Sequence, residues 1–186
     1  MPTQNPMTLA EADVLSDVYD LIAHVTAING NNIIRGYQSR EVLPSDDDFI
    51  IYTPLFKRRV GTNVRTFDAS GMKDNENGQY NDTALVVLDI QIDCYGENAS
   101  VYATMLNLFA YSIVCRDWLK SQNMDIRVCG CTDPQQMAIV DDTEQYVDRY
   151  MITLSVCFDS SLCEGIPWFE DTTFKDIVNV DVKFKP

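Results

Sequence analysis

The clearest pattern along the chain is alternation. From Leu85 to Tyr95, Val86, Leu88, Ile90, Ile92 and Cys94 point one way, and Asp89, Gln91 and Asp93 point the other. A period of two marks a strand with one buried and one wet face. Gly96 breaks the pattern, and Asn98 is placed to N-cap a helix running from Ala99 to about Ser121. The stretch from Thr83 to Gln122 therefore reads as one long strand, a sharp turn and one long helix. A second alternating run, Gln145 to Asp159, puts Tyr150, Ile152, Leu154, Val156 and Phe158 on one face. It pairs naturally with the first strand as an antiparallel sheet backed by helix.

A different period governs the N-terminal part. Val14, Leu15, Val18, Leu21, Ile22 and Val25 recur at helical spacing, with Thr8 and Glu11 arranged as a capping box. That helix runs to about Ala27 and stops at Asn29-Gly-Asn-Asn32. Ile33 to Gln38 is a short strand candidate. Pro44 to Asp48 is an acidic turn without the spacing of a calcium loop. Residues 49–68 read as a hairpin turning at Gly61-Thr-Asn63, with a basic distal part, and residues 69–82 as a loop. Asp125 to Cys131 is a short strand, Gln135 to Val140 a brief strand or bridge, and Val178 to Phe184 a terminal strand. The fold class expected is α+β: a mainly antiparallel sheet flanked by the N-terminal helix and one long central helix, with a β-hairpin arm. The expected organisation is one domain over residues 1–186.

The central helix carries more apolar surface than one packing face needs. On a wheel, Tyr102, Met105, Leu106, Phe109 and Ile113 form one sector, expected to meet the sheet. Leu108, Tyr111, Cys115 and Trp118 form an adjoining one, and the two span roughly 240° where an ordinary surface helix has a little over 100°. Ala103, Asn107, Ala110, Asp117 and Ser121 make up the small or wet side. The second sector must meet either the N-terminal helix or another protein.

Charge narrows the function. The chain has 14 basic and 28 acidic residues, a formal net charge of −14. Nucleic acid is held by cations that displace its counterions, so this balance suits repelling a polyanion rather than gripping one. Against that background Lys57, Arg58, Arg59 and Arg65 stand out. They form either a charged, soluble hairpin tip or a contact with an acidic partner or neighbouring subunit. No apolar run reaches membrane length and no signal-peptide pattern opens the chain, which points to synthesis in the cytosol. The six cysteines accordingly read as reduced thiols, and Cys129-Gly-Cys131 is spaced too closely for half a zinc site. The expectation is no metal and no cofactor.

Catalytic patterns are missing. There is no phosphate-cradling glycine loop, no nucleophile elbow and no Cys–His pair, and His24, the only histidine, has no catalytic partner beside it. Asp89, Asp93 and Asp148 could hold a divalent metal in a nuclease, but they read better as the polar face of a sheet. The protein is expected not to be an enzyme.

A family pattern is carried by dispersed matches: Val87-Leu-Asp-Ile-Gln91, Asp93-Cys-Tyr-Gly96-Glu-Asn-Ala99, the long helix with Arg116, Thr132-Asp-Pro134, and Asp142 with Gln145-Tyr-Val-Asp-Arg149. Over residues 9–160 the chain resembles the tail terminator proteins of tailed bacteriophages, also called neck terminator or tail completion proteins; residues 161–186 lie beyond the resemblance. The resemblance implies a structural virion protein of the tail or neck, assembled in the host cytoplasm as a homo-oligomer. Its form would be a hexameric ring that caps the head-proximal end of the tail tube and stops tube polymerisation. The tail tube protein, the head connector or adaptor and the sheath are its candidate partners, and DNA passes through the lumen without sequence-specific binding. Another head–tail connector or tube-like virion protein of related fold is the alternative. The candidate subunit or partner interface comprises Lys57, Arg58, Arg59 and Arg65 on the hairpin with Leu108, Tyr111, Cys115 and Trp118 on the helix.

Overall fold

A computed structural model describes residues 11–37, 48–68, 78–137, 139–140 and 146–166. Thr8, Asp46 and Asp47, the 141–142 turn and the 178–184 strand lie outside the described residues. Helix α1 (Glu11–Thr26) buries Val14, Leu15, Val18, Leu21 and Ile22, the stripe its spacing predicts. A 3-10 turn over Gly30–Asn32, capped by the Asn29 side chain, leads into β1 (Ile33–Arg35). The chain continues through β2 (Phe49–Asp68), β3 (Gly78–Tyr95), α2 (Ala99–Ala110), α3 (Ile113–Ser121), β4 (Ile126–Cys131), β5 (Gln135–Gln136), β6 (Ile139–Val140), β7 (Tyr146–Val147) and β8 (Arg149–Ile166).

The main sheet has six strands in the order β1-β2-β3-β8-β4, with β5 also on β8. Only β1–β2 is parallel among its pairs. The α+β class therefore holds, with a mixed sheet. The helices lie on one face. There Val86, Leu88, Ile90, Ile92 and Cys94 of β3 meet Ile50 and Tyr52 of β2 and Ile152, Leu154, Val156 and Phe158 of β8. Burying a Leu, Ile, Val or Phe side chain contributes about 1.5–3 kcal/mol, so this layer is the main source of stability.

Four sequence expectations need correction. First, residues 49–68 are not a hairpin but a single strand, paired along its length with β3. Gly61-Thr-Asn63 makes a bulge between Val60 and Val64, with Gly61 at φ 84°, instead of a reversal. Turn residues serve both purposes, and the 18-residue partner strand decides between them. Second, residues 78–82, assigned to a loop, already belong to β3. Likewise β8 runs on to Ile166 rather than ending at Asp159. Beyond the helices β2, β3 and β8 therefore project as a three-stranded arm. Residues 78–85 alone carry it about 25 Å outward at ~3.3 Å per residue.

Third, the central helix is two helices. Ser112 leaves the helical region (φ −82°, ψ 151°) and its Oγ accepts the N–H of Cys115, N-capping α3. The same hydroxyl donates to the Phe109 carbonyl, closing α2. Fourth, not all cysteines are free. The bulge at Val128/Gly130 turns Cys129 toward β8, where it is joined to Cys157 with Cα atoms 6.1 Å apart.

The turn between β3 and α2 is fixed by Gly96 at φ 102°, a conformation that favours glycine. Asn98 occupies the N-cap, but its side chain makes no cap bond. It donates through Nδ2 to Asp48 Oδ2 (2.7 Å), while its backbone N–H donates to Asp48 Oδ1 (3.2 Å). One aspartate from the acidic turn thus ties the start of α2 to the entry of β2.

Candidate functional site

The helix break decides what the surface offers. α2 sets its small side on the sheet: Ala99, Ala103 and Leu106 are buried. Small residues let the helix axis approach closely, so Ala103, expected on the small or wet side, is core, while Asp117 and Ser121 of that side are exposed. An unbroken helix continuing that stripe would bury residues 113–114 and then Asp117. The break shifts the phase, burying Cys115 and Leu119 and leaving Ile113 and Val114 65% and 58% exposed. Met105 and Ile113, expected on the sheet, are exposed with them.

The second sector is thereby divided. Leu108 and Tyr111 are each 67% exposed, whereas Cys115 is 2% exposed and belongs to the core cluster, so it is not a surface group. Trp118 packs against α1, its ring stacked on His24 with centroids 4.4 Å apart. His24 is exposed on its other side, and its ring neighbours are Trp118 and Phe109. Between the end of α1 and the α2–α3 joint lies an open groove of about 440 Å³, lined by His24, Val25, Met105, Leu108, Phe109, Ser112 and Val114. With Val101 and Ile113 also exposed on α2 and α3, the groove belongs to an apolar face of the helical layer, the kind of surface that marks a protein contact.

Tyr111 has a second task. Its hydroxyl donates to the Cys131 carbonyl and accepts the Cys131 N–H, while Asn107 Nδ2 donates to the Thr132 carbonyl (2.9 Å). These bonds fasten the end of β4 to α2 and fix the orientation of the apolar face relative to the sheet.

The basic residues lie on the arm, where every β2 residue from Leu55 to Phe67 is exposed. They do not form one free patch. Lys57 Nζ is 3.7 Å from Glu11 Oε2 and lies over the Phe158 ring, Arg58 pairs with Asp89 at 3.0 Å, and Arg65 grips both oxygens of Asp82. Arg59 donates to Asn63 Oδ1 and has no carboxylate partner among the described residues. The register also separates them, since Lys57 and Arg59 share the helix side of the sheet with Leu88 and Val86, and Arg58 lies on the opposite side with Val87. Exposed pairs of this kind position side chains more than they stabilise. Around them the arm presents Phe56, Val60, Val64, Phe67 and Leu162 to solvent. The sequence contained these residues, but the hairpin assignment hid their alignment on one long strand.

The sheet face away from the helices carries two polar networks. Asp89 accepts from Arg58 and Ser155, and Asp93 accepts from Gln91 Nε2 (2.7 Å) and from Arg149 Nε and Nη2 (3.1 and 2.9 Å). Asp93 is 4% exposed, so its charge depends on Arg149, which also lies over the Tyr95 ring. Asp148 accepts from Gln136 instead. The three aspartates proposed for a nuclease therefore have separate structural partners, and among the described residues no three His, Cys, Asp or Glu side chains converge on a metal site.

Burial pushes the thiols of Cys94, Cys115 and Cys131 up, to about 12, 11 and 11 respectively, which keeps them protonated and unreactive. No helix among the described residues is long and apolar enough to cross a membrane.

A search of curated proteins finds no match. The model of a protein family, the phage neck terminator proteins, matches residues 12–185. The match takes in the segment after residue 160 that the sequence resemblance left out. Family membership implies a structural protein of the virion neck, working among other head and tail proteins. With a match over most of its length, a two-layer α+β fold and an exposed apolar face on its helices, the chain belongs to the phage neck terminator protein family.

Proposed function

We propose that the chain forms a closed, six-fold ring that caps the head-proximal end of the phage tail tube, stops its growth and docks the tail to the head connector. The observation that carries this reading is the exposed apolar face on α2 and α3, where Leu108 lines the groove and is 67% exposed. A lone domain has no use for it, and a neighbouring copy would bury it. Because this face and the arm lie on different parts of the fold, contacts between copies would be head-to-tail, the type that closes into rings. The arm, where Arg59 has no carboxylate partner among the described residues and six large apolar residues face water, is the second contact surface. The net charge of −14 suits a lumen through which DNA passes without sticking.

Leu108→Asp tests the reading. Leu108 is too exposed to matter to the monomer, so thermal unfolding should change little, within about 0.5 kcal/mol. Size-exclusion chromatography with light scattering, followed by negative-stain microscopy, should find rings for the wild type and monomers for the variant. Intact rings in the variant, or a wild-type monomer that cuts DNA with magnesium, would refute it.

A further inference from the structure

The six cysteines are not equivalent. Cys94, Cys115 and Cys131 are buried, and Cys163 is half-buried. Cys129 is exposed, and it is the extra residue of the β4 bulge: Val128 pairs with Val156 and Gly130 with Ser155, leaving Cys129 without a partner across the ladder. The bulge brings it to Cys157, which is 6% exposed on β8. Their Cα separation of 6.1 Å lies within the range a disulfide spans without moving the backbone. The bond joins an edge strand to the strand beside it and closes the root of the excursion that holds β5, β6 and β7.

We propose that Cys129 and Cys157 are a reversible redox site, a staple that small disulfides of the glutathione class close and small thiols open. The Cys129 thiolate, reachable from solvent, attacks the small disulfide and releases one small thiol, leaving a mixed disulfide on Cys129. The Cys157 thiolate then attacks the Cys129 sulfur and releases the second small thiol. Two protein thiols lose two electrons, the small disulfide gains them, and the two protons pass to the released thiols. The structure holds the closed form. In a reducing cytosol the open form is favoured, and outside the cell the closed one. Only that timing rests on the virion reading above; the bond itself rests on the two residues.

The test uses the full chain, reduced and desalted, then incubated with oxidised glutathione. After denaturation and alkylation, intact mass should count six modified cysteines before oxidation and four after, with peptide mapping linking Cys129 to Cys157. Oxidation should raise the melting temperature by roughly 5–10 °C, the effect of closing a loop of this length in a chain of this size. Cys129→Ser should unfold like the reduced wild type and ignore the oxidant. Six modified cysteines after oxidation, a linkage that omits Cys157, or an unchanged melting temperature in the oxidised wild type would overturn the proposal. None of these results depends on whether rings form.

Discussion

Replacing Arg149 with Met should be among the most damaging single changes on the open face of the sheet. Asp93 has a side chain only 6% exposed, and its Oδ1 takes both hydrogen bonds from the Arg149 guanidinium at 3.1 and 2.9 Å. Met fills much of the same volume and keeps the contact with Tyr95, but it leaves a buried carboxylate with one neutral donor, Gln91. Removing one partner of such a pair costs about 3–5 kcal/mol, since the remaining charge is poorly solvated. At roughly 2–4 °C per kcal/mol for a chain of this size, the melting temperature should fall by about 10 °C. Urea unfolding followed by circular dichroism gives the free energy directly. Asp93→Asn combined with Arg149→Met removes the stranded charge and should recover most of the loss. A single-variant loss below about 1 kcal/mol, or a double variant no better than the single, would show that Asp93 is adequately hydrated and the reasoning wrong.

Two further outcomes follow from the same contacts. Ser112→Ala removes the N-cap of α3 and a bond that closes α2, and should cost about 1 kcal/mol by thermal unfolding, with no loss expected if the two helices are held apart by packing alone. The hydrogen bonds from Arg65 hold the Asp82 carboxyl below the ordinary carboxylate range. Because the folded value is lowered, this tie on the arm is present above the usual value of about 3.9 and is lost as pH falls through the lower folded value. An NMR titration of Asp82 should therefore have its midpoint below the ordinary one and return to it in Arg65→Ala, whereas a normal midpoint in the wild type would contradict the pairing.

Much of the fold is legible in the sequence because burial on one face imposes a strict period. The buried set Val86, Leu88, Ile90, Ile92 and Cys94 and the stripe from Val14 to Ile22 are both reproduced, although Asp93, expected on the wet face, is buried too. The misreadings share a cause, which is that a local signal has more than one solution. Gly61-Thr-Asn63 can turn a chain or bulge a strand, and only the distant partner β3 selects the bulge. A helical wheel presumes one continuous helix, so the break at Ser112 rotated every later position; the serine before Ile113 is the cap signal that could have located it. Ala103 resembles a solvent side, yet its small size, with that of Ala99, is what brings α2 onto the sheet. Of the candidate interface residues, Leu108 and Tyr111 remain on the surface, Cys115 and Trp118 are occupied within the chain, and the four cations are aligned on one arm but divided by its two faces. The Cys129–Cys157 contact could not be read from spacing, because a bulge in the register creates it.

The role proposed for this chain is to end a tube by assembling through its helix face. Electron microscopy of tubes grown from the phage's own tail tube subunit, with the purified chain added, tests it most directly. The expected result is an annular six-fold cap at one end of each tube and shorter tubes as the chain is increased, with Leu108→Asp producing neither. Tubes that grow unchanged and uncapped with the wild-type chain, or capped equally by Leu108→Asp, would contradict it.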